Sequence, residues 1–478
     1  MRTMTRINLA AITALAATTL LWAGPAAADE PDFGSADTVR FTIDNPADVG
    51  DHNPGDGRCA IAETGAAKKL PAATTTPPKA GSGSIKGLPT LFLPIAPPPP
   101  ADDTGSCTLR AAVQESSARP TVPHVVTLPS SLGVYRLTEG QLVVDGQLMV
   151  IREHGPDTGR AAINAGHKSR IFDVSGSGSH LTVDGLFLAQ GLSGSAHRGG
   201  DGGAILVGDG GQVELLRSVL VHNRGPVGGA VRVEDGGSLF ATWTSFESNV
   251  ANIAGGAISS DGRVLLDRSS VYDNSAQLGG GLHINTSDGD GFWAVNTSVI
   301  DNRADYGGGV YFNSRVFGGM VHSTISGNSA KQGGGYYGHH EAEPLVLGYS
   351  ILAGNIDTSA TGISDTSPDC RGQVSSAAVN LFGAISGFGS GDAECWGYDL
   401  GEDLVGTTSR PIDPWLEPAV VSTDANDRGD GGELAHSRPS FRSPALDVVP
   451  AGQCGAIDDM IRDDARSGRA CDLGAIER

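Results

Sequence analysis

Residues 255–274 read GGAISSDGRVLLDRSSVYDN, and the order of residue types in this stretch decides the fold. A glycine pair comes first, then the small Ala257 and the aliphatic Ile258, then the turn-forming Asp261-Gly262. Val264 and Leu266 follow two apart, which is the strand period, and the stretch closes on Asn274. The same succession recurs on both sides. Asparagines stand at Asn223, Asn249, Asn274, Asn302, Asn328 and Asn355, separated by 26, 25, 28, 26 and 27 residues. Three residues before each lies Leu220, Phe246, Val271, Val299, Ile325 or Leu352, and eight before it Leu215, Ala241, Leu266, Ala294, Met320 or Leu347. Every member of both columns is apolar, as a repeated structural unit requires.

The glycine pairs at 202–203, 228–229, 255–256, 279–280, 307–308 and 333–334 exclude helix at those places, because glycine weakens a helix interior. Short strands with Gly, Asn and Asp corners therefore wind once per repeat. Propeller blades need roughly 40 or more residues each. The pattern predicts an all-β chain: a right-handed parallel β-helix, or solenoid, with a disulfide-bonded C-terminal cap. Equivalent residues in successive coils lie about 4.8 Å apart, so the asparagine column predicts a ladder of side-chain amide hydrogen bonds.

The rest of the chain is organised around this rod. Arg2 and Arg6, an apolar run from Leu9 to Trp22 and Ala26-Ala27-Ala28 fit a secretory signal peptide over 1–28. The run is shorter than the roughly 20 residues that span a bilayer. The mature chain is therefore expected to lack a transmembrane segment and to be secreted, extracellular or held at the cell surface. An N-terminal segment covers 29–63, and a disordered Pro/Ala/Thr-rich insertion, ending in four prolines, covers 64–104. Residues 105–200 are expected to form the N-terminal cap and first irregular coils, 201–355 the regular coils, and 356–478 the C-terminal coils and cap.

Six cysteines fall in local pairs, Cys59 with Cys107, Cys370 with Cys395 and Cys454 with Cys471. Export to an oxidising compartment predicts three disulfides, although six cysteines permit fifteen pairings. With 54 acidic against 33 basic residues the net charge is -21, which disfavours nucleic acid or an anionic membrane as partner. No cofactor is implied.

Three ordered motifs resemble a bacterial family. Cys107-Thr108-Leu109-Arg110-Ala111-Ala112-Val113-Gln114-Glu115 is similar to the CSLREA motif, and Gly55-Asp56-Gly57-Arg58-Cys59 to the segment that stands before it. Ser323-Thr324-Ile325-Ser326-Gly327-Asn328-Ser329-Ala330 resembles polymorphic outer-membrane protein repeats. The tail, through Val379-Asn380-Leu381-Phe382-Gly383 to Cys471-Asp472-Leu473-Gly474-Ala475-Ile476-Glu477, resembles the close of choice-of-anchor β-helix proteins. The long gap between Cys59 and Cys107 departs from the family pattern. The resemblance implies an exported β-helix and leaves its activity open.

Candidate chemistry is sparse. Six residues before each asparagine stand Arg217, Trp243, Arg268, Asn296, His322 and Tyr349. Facing outward, Arg217, Trp243, Arg268, His322 and Tyr349 would form a ligand stripe for a polysaccharide or other cell-surface component; facing inward, they would fill corners. Asp273 and Asp301 share the column just before the asparagines, but His222, Ser248, Gly327 and Gly354 occupy it elsewhere. Asp209, Asp235 and Asp261, each before a glycine, read as turn formers whose later counterparts are Asn285 and Asn313. Asp288-Gly289-Asp290-Gly291 hints at Ca²⁺ without the remaining ligands, and His339-His340 with Glu341 and Glu343 offers a metal cluster or a solvated corner. Complete structural columns beside scattered polar ones favour a structural, adhesive or glycan-binding scaffold with no catalytic residue assigned. The alternative is a pectate-lyase-like lyase or glycoside hydrolase with carboxylates on adjacent coils.

Overall fold

The computed structural model describes residues 33–35, 37–61, 106–153, 160–194, 201–287, 291–359, 368–385, 395–398, 402–423, 433–450 and 470–476. The expected signal peptide and proline-rich insertion lie outside these residues. Each regular coil gives one strand to each of three parallel sheets. In the coil of the opening stretch they are Ile258–Ser260, Arg263–Asp267 and Ser270–Tyr272. The first sheet begins at Leu142–Val144, the second at Val39–Thr42, and the third, of 11 strands, runs from Val134–Arg136 to Leu404–Thr407. Ten steps of about 4.8 Å make the third sheet roughly 50 Å long. The strand Cys370–Ser376 pairs with the first sheet through Cys370 and Arg371 and with the second through Val374 to Ser376. The parallel β-solenoid expected from the repeat is therefore present, and it extends beyond the regular repeats in both directions.

Pairing is in phase from coil to coil, with Leu220, Phe246, Val271, Val299, Ile325 and Leu352 as direct partners in order. All six are buried in one core, together with Leu215, Ala241, Leu266, Ala294, Met320 and Leu347 of the second sheet. The glycine pair has two distinct causes. Gly255 has φ +65°, a conformation that a side chain disfavours, whereas a Cβ on Gly256 would run into the Gly280 carbonyl oxygen of the next coil. The next pair, Gly279 and Gly280, repeats this division.

The asparagine column is a continuous ladder. Nδ2 of Asn223, Asn249, Asn274, Asn302 and Asn328 each donates to Oδ1 of the next asparagine, at 2.9–3.0 Å. That same Oδ1 accepts the backbone N–H of the donor residue. Asn355 ends the ladder on a carboxylate, donating from its backbone N and Nδ2 to Asp369 Oδ1 at 2.8 and 2.9 Å.

The N-terminal end of the rod is closed by a helix. The helix Leu109–Ala118, capped by the Thr108 side chain on Ala111 N, buries Leu109, Ala111, Ala112 and Val113 against the first coils. Cys59 and Cys107 form a disulfide that ties it to the segment before it. Asp48 takes Arg110 Nε at 2.6 Å and the Glu139 backbone N–H at 2.7 Å. Burial alone would raise the Asp48 carboxyl, but Arg110 and the backbone donors outweigh it and hold it below its usual value. In the C-terminal part Cys370 and Cys471 are each disulfide-bonded, while the side chains of Cys395 and Cys454, their expected partners, lie outside the described residues.

The C-terminal segment also folds back over the outside of the third sheet. Its antiparallel hairpin pairs Val420–Thr423 with Glu433–His436, and Ala435 N donates to Ser270 Oγ at 3.2 Å. Ala475 N donates to Thr324 Oγ1 at 3.1 Å and Gly474 N to the Tyr349 carbonyl at 2.9 Å. Strand alternation in the sequence turns Ser298, the neighbour of the inward Val299, toward the outside and so predicts that it tolerates substitution; the fold-back corrects this. Ser298 does point away from the core, as alternation predicts, yet it is fully buried.

Two outcomes follow for stability. Val299→Asp places a carboxylate between Val271 and Ile325 and is expected to cost several kcal/mol, enough to unfold the coils in thermal melts. Ser298→Asp is expected to destabilise as well, and only Ser298→Ala to be mild; a harmless Ser298→Asp would contradict the covered third sheet. Burial raises the Asp369 carboxyl from 3.8 to about 6 against the hydrogen bonds from Asn355 and Ala384. Its contribution to stability is therefore full below pH 3.8 and lost as the pH rises through 6. Unfolding midpoints of the parent and Asp369→Asn across this window should diverge in slope, and parallel curves would count against the assignment.

Candidate functional site

Alternation in the first sheet turns one residue per coil inward and its neighbour outward. The outward neighbours form a column, Asp173, Leu206, Arg232, Ser259, His283, Tyr311, Tyr337 and Arg371, each the direct partner of the next. Toward its C-terminal end the column is aromatic. The His283 and Tyr311 rings stack at 5.3 Å and 22°, and those of Tyr311 and Tyr337 at 5.2 Å and 10°. Their faces are turned to one another, so the column shows solvent its rims, an imidazole edge and two phenol hydroxyls. Tyr306 stands edge-on to Tyr337 at 5.5 Å and is 38% exposed, which adds a third phenol. Burial, then the neighbouring Tyr337 and Tyr306, raise the Tyr311 hydroxyl above its ordinary value, so it stays a neutral hydrogen-bond donor and acceptor.

A polar network anchors the platform from the N-terminal side. Arg232 forms an ion pair with Asp261 and donates to Ser259 Oγ at 3.3 Å, and Ser259 Oγ meets His283 Nδ1 at 3.1 Å. Asp261 Oδ1 also accepts Asn285 Nδ2 at 2.9 Å, and Asn285 Oδ1 accepts Asn313 Nδ2 at 2.7 Å. The Asp-Gly corner column of the sequence is thus a second, shorter ladder. Further back, the buried Arg170 guanidinium is pinned by Asp173 at 3.3 Å, Gln141 at 3.1 Å and the Asp201 carbonyl at 2.6 Å. Desolvation raises the Asp201 carboxyl, opposed by Arg232 and Arg170. Burial also pushes His283 down to about 4, with Asp261 opposing and Arg232 assisting.

The column proposed from sequence lies elsewhere, at the corner between the second and third sheets. Arg217, Trp243, Arg268, Asn296, His322 and Tyr349 all have φ between 44° and 55°. This left-handed conformation disfavours β-branched residues and tolerates the types found there. Arg217, Trp243 and Arg268 are half-buried; Arg217 pairs with Asp184 at 2.9 Å and Arg268 lies over the Trp243 ring at 5.7 Å. Asn296, His322 and Tyr349 are buried, the last two stacked at 4.9 Å, and Tyr349 packs with Leu473 of the C-terminal segment. The structure therefore joins only the first half of the stripe to solvent.

Asp273 and Asp301 occupy a second left-handed corner, at φ 53° and 56°, and both are exposed. Partial desolvation by its neighbours, then the charge of Asp273, raise the Asp301 carboxyl even though the residue reaches solvent, and Ser248 Oγ donates to Asp273 at 2.8 Å. His339 and His340 sit 4.2 Å apart at the surface, with His340 3.9 Å from Glu341. Asp288, Gly289 and Asp290 lie outside the described residues. Among the described residues no group of three or more His, Cys, Asp or Glu is placed to hold a metal, and no helix is long and apolar enough to cross a membrane.

No protein-family model and no curated protein matches the chain. Among solved structures it is similar to one described as "Structure of PL6 family alginate lyase AlyGC", at 11% identity and a TM-score of 0.28. That alignment covers 68% of this chain and 56% of the other.

The network makes a prediction for pH. The folded His283 is depressed below its ordinary 6.5, so its contribution to stability is full above 6.5 and lost as the pH falls through about 4. Imidazole NMR shifts should show His283 neutral at pH 5 to 6, and His283→Gln should flatten the acid limb of the stability curve; an ordinary titration near 6.5 would rule out the buried setting.

Proposed function

We propose that the protein is an exported, surface or extracellular β-helix scaffold that binds glycan through the outer face of its first sheet. The observation that carries this reading is the column His283, Tyr311 and Tyr337 with Tyr306 beside it, a row of phenol hydroxyls and ring edges held in fixed positions on three successive coils. Sugars are recognised by hydrogen-bonding groups of this kind, and fixed side chains lose little entropy on binding. The signal-peptide pattern, the Cys59–Cys107 disulfide and the resemblance to CSLREA and choice-of-anchor proteins support the exported setting. The Arg217, Trp243 and Arg268 corner is a secondary candidate surface in this reading.

A degradative reading has one observation in its favour, the raised Asp301 carboxyl beside Asp273 on the adjacent coil, a setting that suits a general acid. The two readings part in one screen of the purified protein against neutral and acidic polysaccharides, with and without Ca²⁺. Retention without cleavage is expected. Tyr311→Ala with Tyr337→Ala should weaken binding by roughly tenfold or more; a larger loss with Trp243→Ala would move the site to the Arg217, Trp243 and Arg268 corner. Chain cleavage abolished by Asp301→Asn would instead establish the enzyme.

A further inference from the structure

We infer that the ligand of the tyrosine column is an electrically neutral glycan chain lying along the solenoid axis, with successive sugars meeting successive coils. This rests on the glycan-binding reading and specifies its ligand. The direction follows from the placement of the groups. His283, Tyr311 and Tyr337 repeat at 5.3 and 5.2 Å in a line up the rod. A linear pyranose chain advances by a similar distance per residue, so each successive sugar can meet the next side chain of the column with one of its hydroxyls. A chain laid across the coils would meet a single member of the column.

The charge class follows from which groups are already committed. Arg170 is buried and held by Asp173, Gln141 and the Asp201 carbonyl, and Arg232 is paired with Asp261. Among the described residues the N-terminal half of this face therefore offers no uncommitted cation, and its three carboxylates, Asp173, Asp201 and Asp261, outnumber the two guanidiniums of Arg170 and Arg232. In the centre His283 is neutral above about pH 4, and the Tyr311 phenol beside it is held neutral by burial. Beside them run the Asn285 and Asn313 amides. Arg371 is a single cation at the last position. A polymer with a carboxylate or sulfate on every sugar would face one cation, a neutral stretch and then like charge, on a chain of net charge -21. A neutral glycan meets hydrogen-bonding partners at each of these positions.

The full chain should be titrated calorimetrically with neutral β-1,4-linked gluco-, xylo- and manno-oligosaccharides of increasing length, and with oligogalacturonates, at low and high salt. The expected result is binding of at least one neutral series. Its affinity should climb with each added sugar until the ligand outruns the column, with little dependence on salt. Tyr337→Ala should lower the affinity for the long oligomers by roughly tenfold and leave the shortest nearly unaffected. Tighter, salt-sensitive binding of oligogalacturonate would overturn the neutral assignment while leaving glycan binding in place. Affinity that does not grow with length would overturn the axial direction. Binding that ignores both Tyr311→Ala and Tyr337→Ala would place the site elsewhere, and no binding of any glycan would remove the functional reading itself.

Discussion

Parallel hydrogen bonding between successive coils holds each residue directly above its counterpart one repeat earlier, and the rest of the molecule answers to that constraint. A side chain in such a stack cannot choose its neighbours, since the residue above and the residue below occupy the same environment. Apolar positions therefore become apolar columns, as with Val271, Val299 and Ile325. A buried polar group must find its partner in its own column or leave a costly unmade bond. Asparagine meets this requirement because its side chain carries a donor and an acceptor, and each copy satisfies the next.

A ladder of this kind is polar along its length and needs a terminator. The long ladder points its donors toward the C-terminal coils and ends at the Asp369 carboxylate. The short ladder runs the other way, from Asn313 through Asn285 to the Asp261 carboxylate, which Arg232 neutralises. In both cases a carboxyl oxygen sits where the last amide hydrogen is presented and accepts it. The difference between them is exposure: Asp369 is buried with its three donors, whereas Asp261 stands at the surface and connects the scaffold to the aromatic column.

The fold was legible because its determinants repeat. Glycine pairs, aliphatic columns and asparagines recur at nearly constant spacing, and inward positions tolerate few residue types. The aromatic column was harder to see, since its members are Arg232, Ser259, His283, Tyr311 and Tyr337, which share no chemical type. Its signal is positional: each lies four residues after the first glycine of its coil, from Gly228 to Gly333. The stripe from Arg217 to Tyr349 drew attention for its chemistry, yet a left-handed corner accounts for the same residues without a ligand. Ser298 shows a limit of another kind. Strand alternation gives the direction of a side chain, but what covers it comes from residues far along the chain.

That cover has a consequence for how the molecule is made. Ala435 bonds to Ser270 and Ala475 to Thr324 across 165 and 151 residues, while the coils themselves are built from contacts between neighbouring repeats. The rod can assemble progressively, but its third sheet is covered only after the segment around Ala435 and Ala475 has joined it. A prematurely terminated chain would carry a well-formed rod with an open seam of serine and threonine hydroxyls. The order of events is thus written into the contacts: the core closes locally, coil by coil, and its outer cover is added last.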